Sequence, residues 1–149
     1  MKVIFLDIDG VLNTSASLAE NVHLLPEKAL LIRRIIEATG AKIVISSAWR
    51  IFMDDDANDC RVRFALKQAG IPDSAIIGAT TTGGWGSRAE QLRRWIVGEP
   101  VECFVIIDDE IHDFSKVQKS RLVKTKTEIG LTWEGAAQAI ALLNGKEAA

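Results

Sequence analysis

Short apolar runs alternate with longer amphipathic stretches along this chain. Val3-Ile4-Phe5-Leu6 is continuously apolar, with β-branched and aromatic members, and predicts a strand buried on both faces. Residues 42–45 and 103–107 repeat that pattern, and residues 75–77 and 121–124 predict two shorter strands. Between them, residues 24–39 predict a helix, with Pro26 in the tolerated first turn and Gly40 as the stop. Residues 59–69 predict another, closed by Gly70 with Pro72 shortly after. Ser87 followed by Glu90 matches a capping box, so a helix is expected from there to about Val97. Thr132 is the expected N-cap of a last helix running to Leu143, with Gly145 beyond its end and residues 146–149 as a frayed tail. Strands alternating with helices predict an α/β fold with a mainly parallel sheet and helices on both faces. Residues 49–59 and 80–86 are the irregular stretches, and no repeat or linker divides the chain, so one domain spanning 1–149 is expected.

Composition narrows the class. A chain of 149 residues can bury a sizeable core without disulfides. A net charge of −2 argues against a broadly basic nucleic-acid-binding surface, although not against a local basic patch. Cys60 and Cys103 are far apart and form no metal-thiolate pattern, which predicts two buried free thiols and suits a cytoplasmic protein. No apolar run approaches a signal peptide or a membrane span, so no membrane association is expected.

Ligands in such sheets bind at the carboxyl ends of the strands, so the residues following each run carry the chemistry. The first run leads into Asp7-Ile8-Asp9-Gly10-Val11-Leu12, the second into Ser46-Ser47, and the late one into Asp108-Asp109-Glu110. Asp7, Asp9, Asp108 and Asp109 converging on one edge would repel each other strongly. A hard divalent cation relieves that repulsion, and oxygen ligands suit Mg2+. Such a metal commonly takes a substrate phosphate into its shell, and a carboxylate beside it can attack phosphorus.

These motifs resemble the haloacid dehalogenase (HAD) superfamily of phosphohydrolases. Asp7-Ile8-Asp9-Gly10-Val11 resembles its first motif, Val44-Ile45-Ser46 its second and Ile106-Ile107-Asp108-Asp109 its fourth, in the right order over most of the chain. The resemblance implies a HAD-like Rossmannoid fold and a phosphatase using an aspartyl-phosphate. It implies Asp7 as nucleophile and metal ligand, and Asp9 as acid and then base, its main-chain carbonyl also binding metal. Gly10 would permit the turn beside the phosphate, and Ser46 would hydrogen-bond the phosphoryl group. Asp108 would complete the metal shell, with Asp109 a direct or water-bridged ligand. The third motif calls for a cation, and Arg88 stands at the expected helix start before the strand ending in Asp108. Arg93 and Arg94 are expected at the surface.

Asp-Gly-Val-Leu-Asn (9–13) and Ser-Ser-Ala-Trp-Arg (46–50) are similar to a HAD subgroup linked with RNA-repair proteins. That implies a phosphorylated substrate such as a nucleic-acid end. Ser47, Trp49 and Arg50 are the candidate substrate contacts: the aromatic and guanidinium suit a base or a second phosphate, and equally suit packing and a neighbouring acid. His23 and His112 lack metal-ligand spacing, and surface exposure is the expectation for His112. Trp95 and Trp133 are expected to pack, and Asp54-Asp55-Asp56 to be a solvated loop. No stretch is long enough for a full cap domain, which favours a bulky substrate. Two other classes remain: a receiver-like phosphoacceptor, disfavoured by Ser46-Ser47 after the middle strand, and a catalytically idle HAD-like binding domain.

Overall fold

All five predicted strands form. They are β1 (Lys2–Leu6), β2 (Lys42–Ile45), β3 (Ile76–Ala79), β4 (Cys103–Asp108) and β5 (Leu122–Lys124). In this computed structural model, which describes residues 1–46, 56–80 and 86–145 (backbone alone at 56–60), they pair in parallel in the order β3-β2-β1-β4-β5. β1, β2 and β4 are buried along most of their length, as continuous apolar runs in a doubly covered sheet should be, while the edge strands β3 and β5 bury one residue each.

The long helices are α2 (Pro26–Thr39), α3 (Asp56–Gln68), α4 (Arg88–Gly98) and α6 (Trp133–Leu143). Pro26 opens α2, and Gly40, at φ 73°, closes it in the left-handed conformation that glycine adopts without strain. α3 begins a turn earlier than its pattern suggests. Only one arm of the expected box at α4 is present. Ser87 Oγ accepts from Glu90 N at 3.3 Å, while the Glu90 carboxylate is taken by Arg93 at 2.6 Å and Arg94 at 3.3 Å. Two five-residue helices, α1 (Ser15–Ala19) and α5 (Lys116–Ser120), were not expected, and each is held by a full capping box of its own.

Side-chain parity divides the core. Ile4, Leu6, Ile43, Ile45, Val105 and Ile107 pack with residues of α2, α3 and α6 on one face of the sheet. Val3, Phe5, Val44 and Ile106 pack with Leu92, Ala89 and Trp95 of α4 on the other. Trp95 meets Phe5 edge-on at 5.8 Å, as a packing aromatic should. Trp133 corrects the expectation for it: its side chain is 62% exposed, with the Arg34 guanidinium 4.5 Å above the ring. Cys103 is half-buried rather than buried, donating from Sγ to Leu142 O. No described residue belongs to a cap domain, and among the described residues no helix is long and apolar enough to cross a membrane.

The strand order reverses at β1. From β1 the chain moves outward to β2 and β3, then returns to β4 on the other side. A crevice opens at such a switch point, outside the carboxyl ends of the strands. β1 leads there into Asp7, and β4 ends there in Asp108.

Candidate active site

Parity also sets where the site faces. Asp7 continues the Val3–Phe5 series, Ser46 follows Val44, and Asp108 follows Ile106, so all three emerge on the α4 side of the sheet. Asp7 N bonds Ile107 O and Ser46 N bonds Leu6 O, which extends the ladder one residue past the strands and holds these positions in register. Arg88, the first residue of α4, reaches across to them. Its Nη1 donates to Ser46 O at 2.6 Å and to Asp108 Oδ2 at 3.0 Å, and its side chain is largely buried. The structure thus brings Asp7, Ser46, Arg88, Asp108 and Asp109 together from β1, β2, α4 and β4.

Asp7, Asp108 and Asp109 each offer a carboxylate oxygen, and these oxygens lie within 4.8 Å of one another. Asp7 is only 7% exposed. Burial, with Asp108 and then Asp109 adding like charge, pushes its carboxyl up to about 9, against the opposing pull of Arg88. Asp108 is raised as well, chiefly by burial, even though the Glu110 N–H, His112, Arg88 and a hydrogen bond from Asp7 all favour its charged form. Three carboxyls in this space cannot all ionise unaided. The residues therefore fit a cation, and an all-oxygen donor set fits a hard divalent one. The Ser46 hydroxyl is 1% exposed and has no hydrogen-bond partner among the described residues, which leaves a buried donor for an incoming ligand.

A family model described as the HAD domain in Swiss Army Knife RNA repair proteins matches residues 3–136. The chain belongs to this HAD family. No curated protein and no solved structure matches it significantly. Membership points in general to a metal-dependent phosphohydrolase, and the acid cluster of this HAD domain is compatible with one.

In the HAD domain Arg93 and Arg94 lie at the surface, paired to Glu90. Ser47, Trp49, Arg50 and the acidic run's first two members, Asp54 and Asp55, lie outside the described residues. Sequence reasoning missed several residues around the site. His112 is not surface-exposed: its Nε2 lies 3.2 Å from Asp108 Oδ2, its ring meets Phe114 edge-on, and its backbone holds φ 50°. A left-handed non-glycine residue is held there by surrounding contacts, which its isolation in sequence does not announce. Thr127 Oγ1 donates to Asp109 Oδ2 at 3.0 Å, and Thr125 Oγ1 donates to Gly10 O at 2.6 Å, from the segment after β5. Asn13, fully buried, accepts from Gly10 N and donates to Asp9 Oδ1. Its place in the Asp-Gly-Val-Leu-Asn phrase was the signal available. Thr80, directly after β3, has a buried hydroxyl with no partner among the described residues, like that of Ser46.

Gly10 has a requirement that can be tested. It sits at φ 79°, and a Cβ there would fall 2.8 Å from Asp109 Cβ and still closer to its carboxylate. Gly10→Ala therefore combines backbone strain with displacement of one acid of the cluster. We expect a stability loss of about 1–3 kcal/mol and roughly tenfold weaker divalent-cation binding. Thermal melts and cation titration measure both, and wild-type affinity in the variant would contradict this account of the turn.

Proposed function

We propose that this HAD domain is a Mg2+-dependent phosphomonoester hydrolase that works through an aspartyl-phosphate on Asp7. The observation that carries the reading is the set of carboxylate oxygens from Asp7, Asp108 and Asp109 within 4.8 Å, beside Arg88 and the buried Ser46 hydroxyl, which has no partner among the described residues. Asp7, Asp108, Asp109 and the main-chain carbonyl of Asp9 would hold the cation. When bound, Mg2+ supplies the positive charge that lets Asp7 ionise and that polarises a phosphoryl oxygen.

This chain's residues then divide the work. An Asp7 carboxylate oxygen attacks phosphorus. The bond from phosphorus to the leaving-group oxygen breaks, its electron pair stays on that oxygen, and Asp9 supplies a proton to it. Water next attacks the same phosphorus and gives its proton to Asp9, and the bond to Asp7 breaks. Inorganic phosphate departs and both carboxyls are restored. Ser46 donates a hydrogen bond to a phosphoryl oxygen, and Arg88 offsets the charge spread over the others. The N-terminus of α4, which carries Arg88, adds its own favourable end of the helix dipole.

The sheet order favours this over a receiver-like phosphoacceptor. Receivers are wound 2-1-3-4-5, whereas this sheet runs β3-β2-β1-β4-β5, with Asp7 following the first strand in sequence and Ser46 the second. A bulky phosphorylated substrate, such as a nucleic-acid end, suits a site for which no described residue forms a cap domain. The family's description, which names RNA repair proteins, supports the same substrate class.

Hydrolysis of p-nitrophenyl phosphate tests the reaction class. Turnover with Mg2+ that stops on chelation is the expected result. Absence of release over the uncatalysed rate, with folded protein and saturating Mg2+, would refute it.

A further inference from the structure

Asp9 is the residue in this reading whose carboxyl must meet the leaving-group oxygen, and it stands on an exposed turn rather than in the buried cluster. A side chain so placed would ordinarily sample several rotamers, so something must hold it. Asn13 does. Its side chain is 0% exposed and both ends of its amide are engaged. Oδ1 accepts from Gly10 N at 2.9 Å, Nδ2 donates to Asp9 Oδ1 at 2.9 Å, and the same Nδ2 donates to His23 O at 2.9 Å. An amide nitrogen has two hydrogens, and both are committed.

The surrounding backbone makes this a rigid mount. Val11 N and Leu12 N both bond Ile8 O, closing the turn after β1. Leu12 O accepts from Leu25 N, Val11 O accepts from Leu131 N, and Thr125 Oγ1 donates to Gly10 O. Asn13 therefore projects from a turn pinned to the starts of α2 and α6. It grips the turn through Gly10 N and the following segment through His23 O. The remaining hydrogen is directed at one chosen oxygen of Asp9.

We infer that Asn13 is a positioning residue for Asp9: by holding Oδ1, it turns the other carboxyl oxygen, Oδ2, toward the leaving group. The inference rests on the phosphatase reading and adds to it a residue that touches neither substrate nor cation. The bonds to Gly10 N and His23 O fix Asn13 itself, and it reaches the reacting atoms through Asp9, so its influence must track the need for a general acid. A nitrophenolate departs as a stable anion with little help, whereas an alkoxide departs only if it is protonated as the bond breaks.

Two variants and two substrates test this. Asn13→Ala removes the whole clamp. Asn13→Leu keeps nearly the volume while removing the donor to Asp9, so it serves if the cavity left by alanine keeps that variant from folding. With Mg2+, either folded variant should lose kcat on a simple alkyl phosphate about tenfold more than on p-nitrophenyl phosphate. In an Asp9→Asn background, the same change at Asn13 should alter kcat by less than about twofold, because the group it positions is already gone. Equal losses on both substrates, or full additivity with Asp9→Asn, would show a merely structural role and overturn the inference. Wild-type turnover of p-nitrophenyl phosphate reports on the phosphatase reading by itself: without it both fall, whereas turnover with no substrate split removes only the role of Asn13.

Discussion

Asp7→Asn should abolish turnover and at the same time stabilise the cation-free protein. The amide is nearly isosteric with the carboxyl but cannot attack phosphorus, so a fall in kcat of about 10^4-fold or more is expected. The second effect follows from the cost of keeping an acid at this position. Asp7 is buried among Asp108 and Asp109, and its carboxyl is pushed up to about 9. At about pH 8 without a cation, folding must either retain a proton there or bury a charge against its neighbours. Asparagine needs neither. We expect the variant to melt above wild type at about pH 8 in chelator, and the difference to shrink near pH 5, where the wild-type carboxyl is protonated in the fold. Kinetics with p-nitrophenyl phosphate and thermal melts at the two pH values check both halves. Retained turnover would remove Asp7 as nucleophile. A variant less stable than wild type at about pH 8 would mean that Asp7 contributes to the fold by its hydrogen bonds, such as the one from Ile8 N, more than it burdens it by its charge.

Such a trade between stability and activity explains which parts of the molecule were readable from the chain. β1, β2 and β4 are runs whose every residue agrees with a buried strand, and the acids that end them are where that agreement breaks off. A buried run interrupted by Asp-x-Asp-Gly is therefore legible both as structure and as a site. Arg88 was legible for a different reason: it follows an N-cap serine, so the helix start and its cation are set by neighbours within the same turn. His112 was not, because what places it is Asp108 together with Phe114 and a left-handed backbone, none of which a window of sequence displays. Thr125 and Thr127 contact Gly10 and Asp109 across long stretches of chain, and only the completed sheet reveals those pairs.

The two short helices divide along the same line. Five residues are too few for a hydrophobic period, and in isolation such a segment would not stay helical. α5 nonetheless carries a readable start, since Ser115 and Gln118 form the Ser-x-x-Gln version of a capping box. α1 uses Thr14 with Ser17 in the third position, where serine replaces the usual Glu or Gln, and so gives no such signal. Trp133 shows the opposite error. A tryptophan at a helix position reads as packing, but this one begins α6 on the solvent side, where Arg34 covers its ring instead of the core.

The cluster that defines the site should also make the protein's stability depend on pH and on cation together. In the folded chain Asp7 holds its proton up to about 9, and its ordinary value is 3.8. Between those limits the folded state binds a proton that the unfolded state has released, so stability falls as pH rises through the window. It is fully present only below the lower limit. Asp108 is raised in the same direction and adds to the slope. Without a cation, moving from about pH 5 to about pH 8 should cost roughly 4 kcal/mol through Asp7, or about 12 °C in Tm. A divalent cation reverses the sign of the argument, because it replaces the proton as the charge that Asp7 faces. Added Mg2+ should therefore raise Tm more at about pH 8 than near pH 5, and its binding at about pH 7 should release about one proton. Calorimetry in buffers of different ionisation enthalpy measures that proton directly. A cation-free Tm that stays level across this range, with no proton released on binding, would mean that the three carboxyls do not share the space that the proposed chemistry requires.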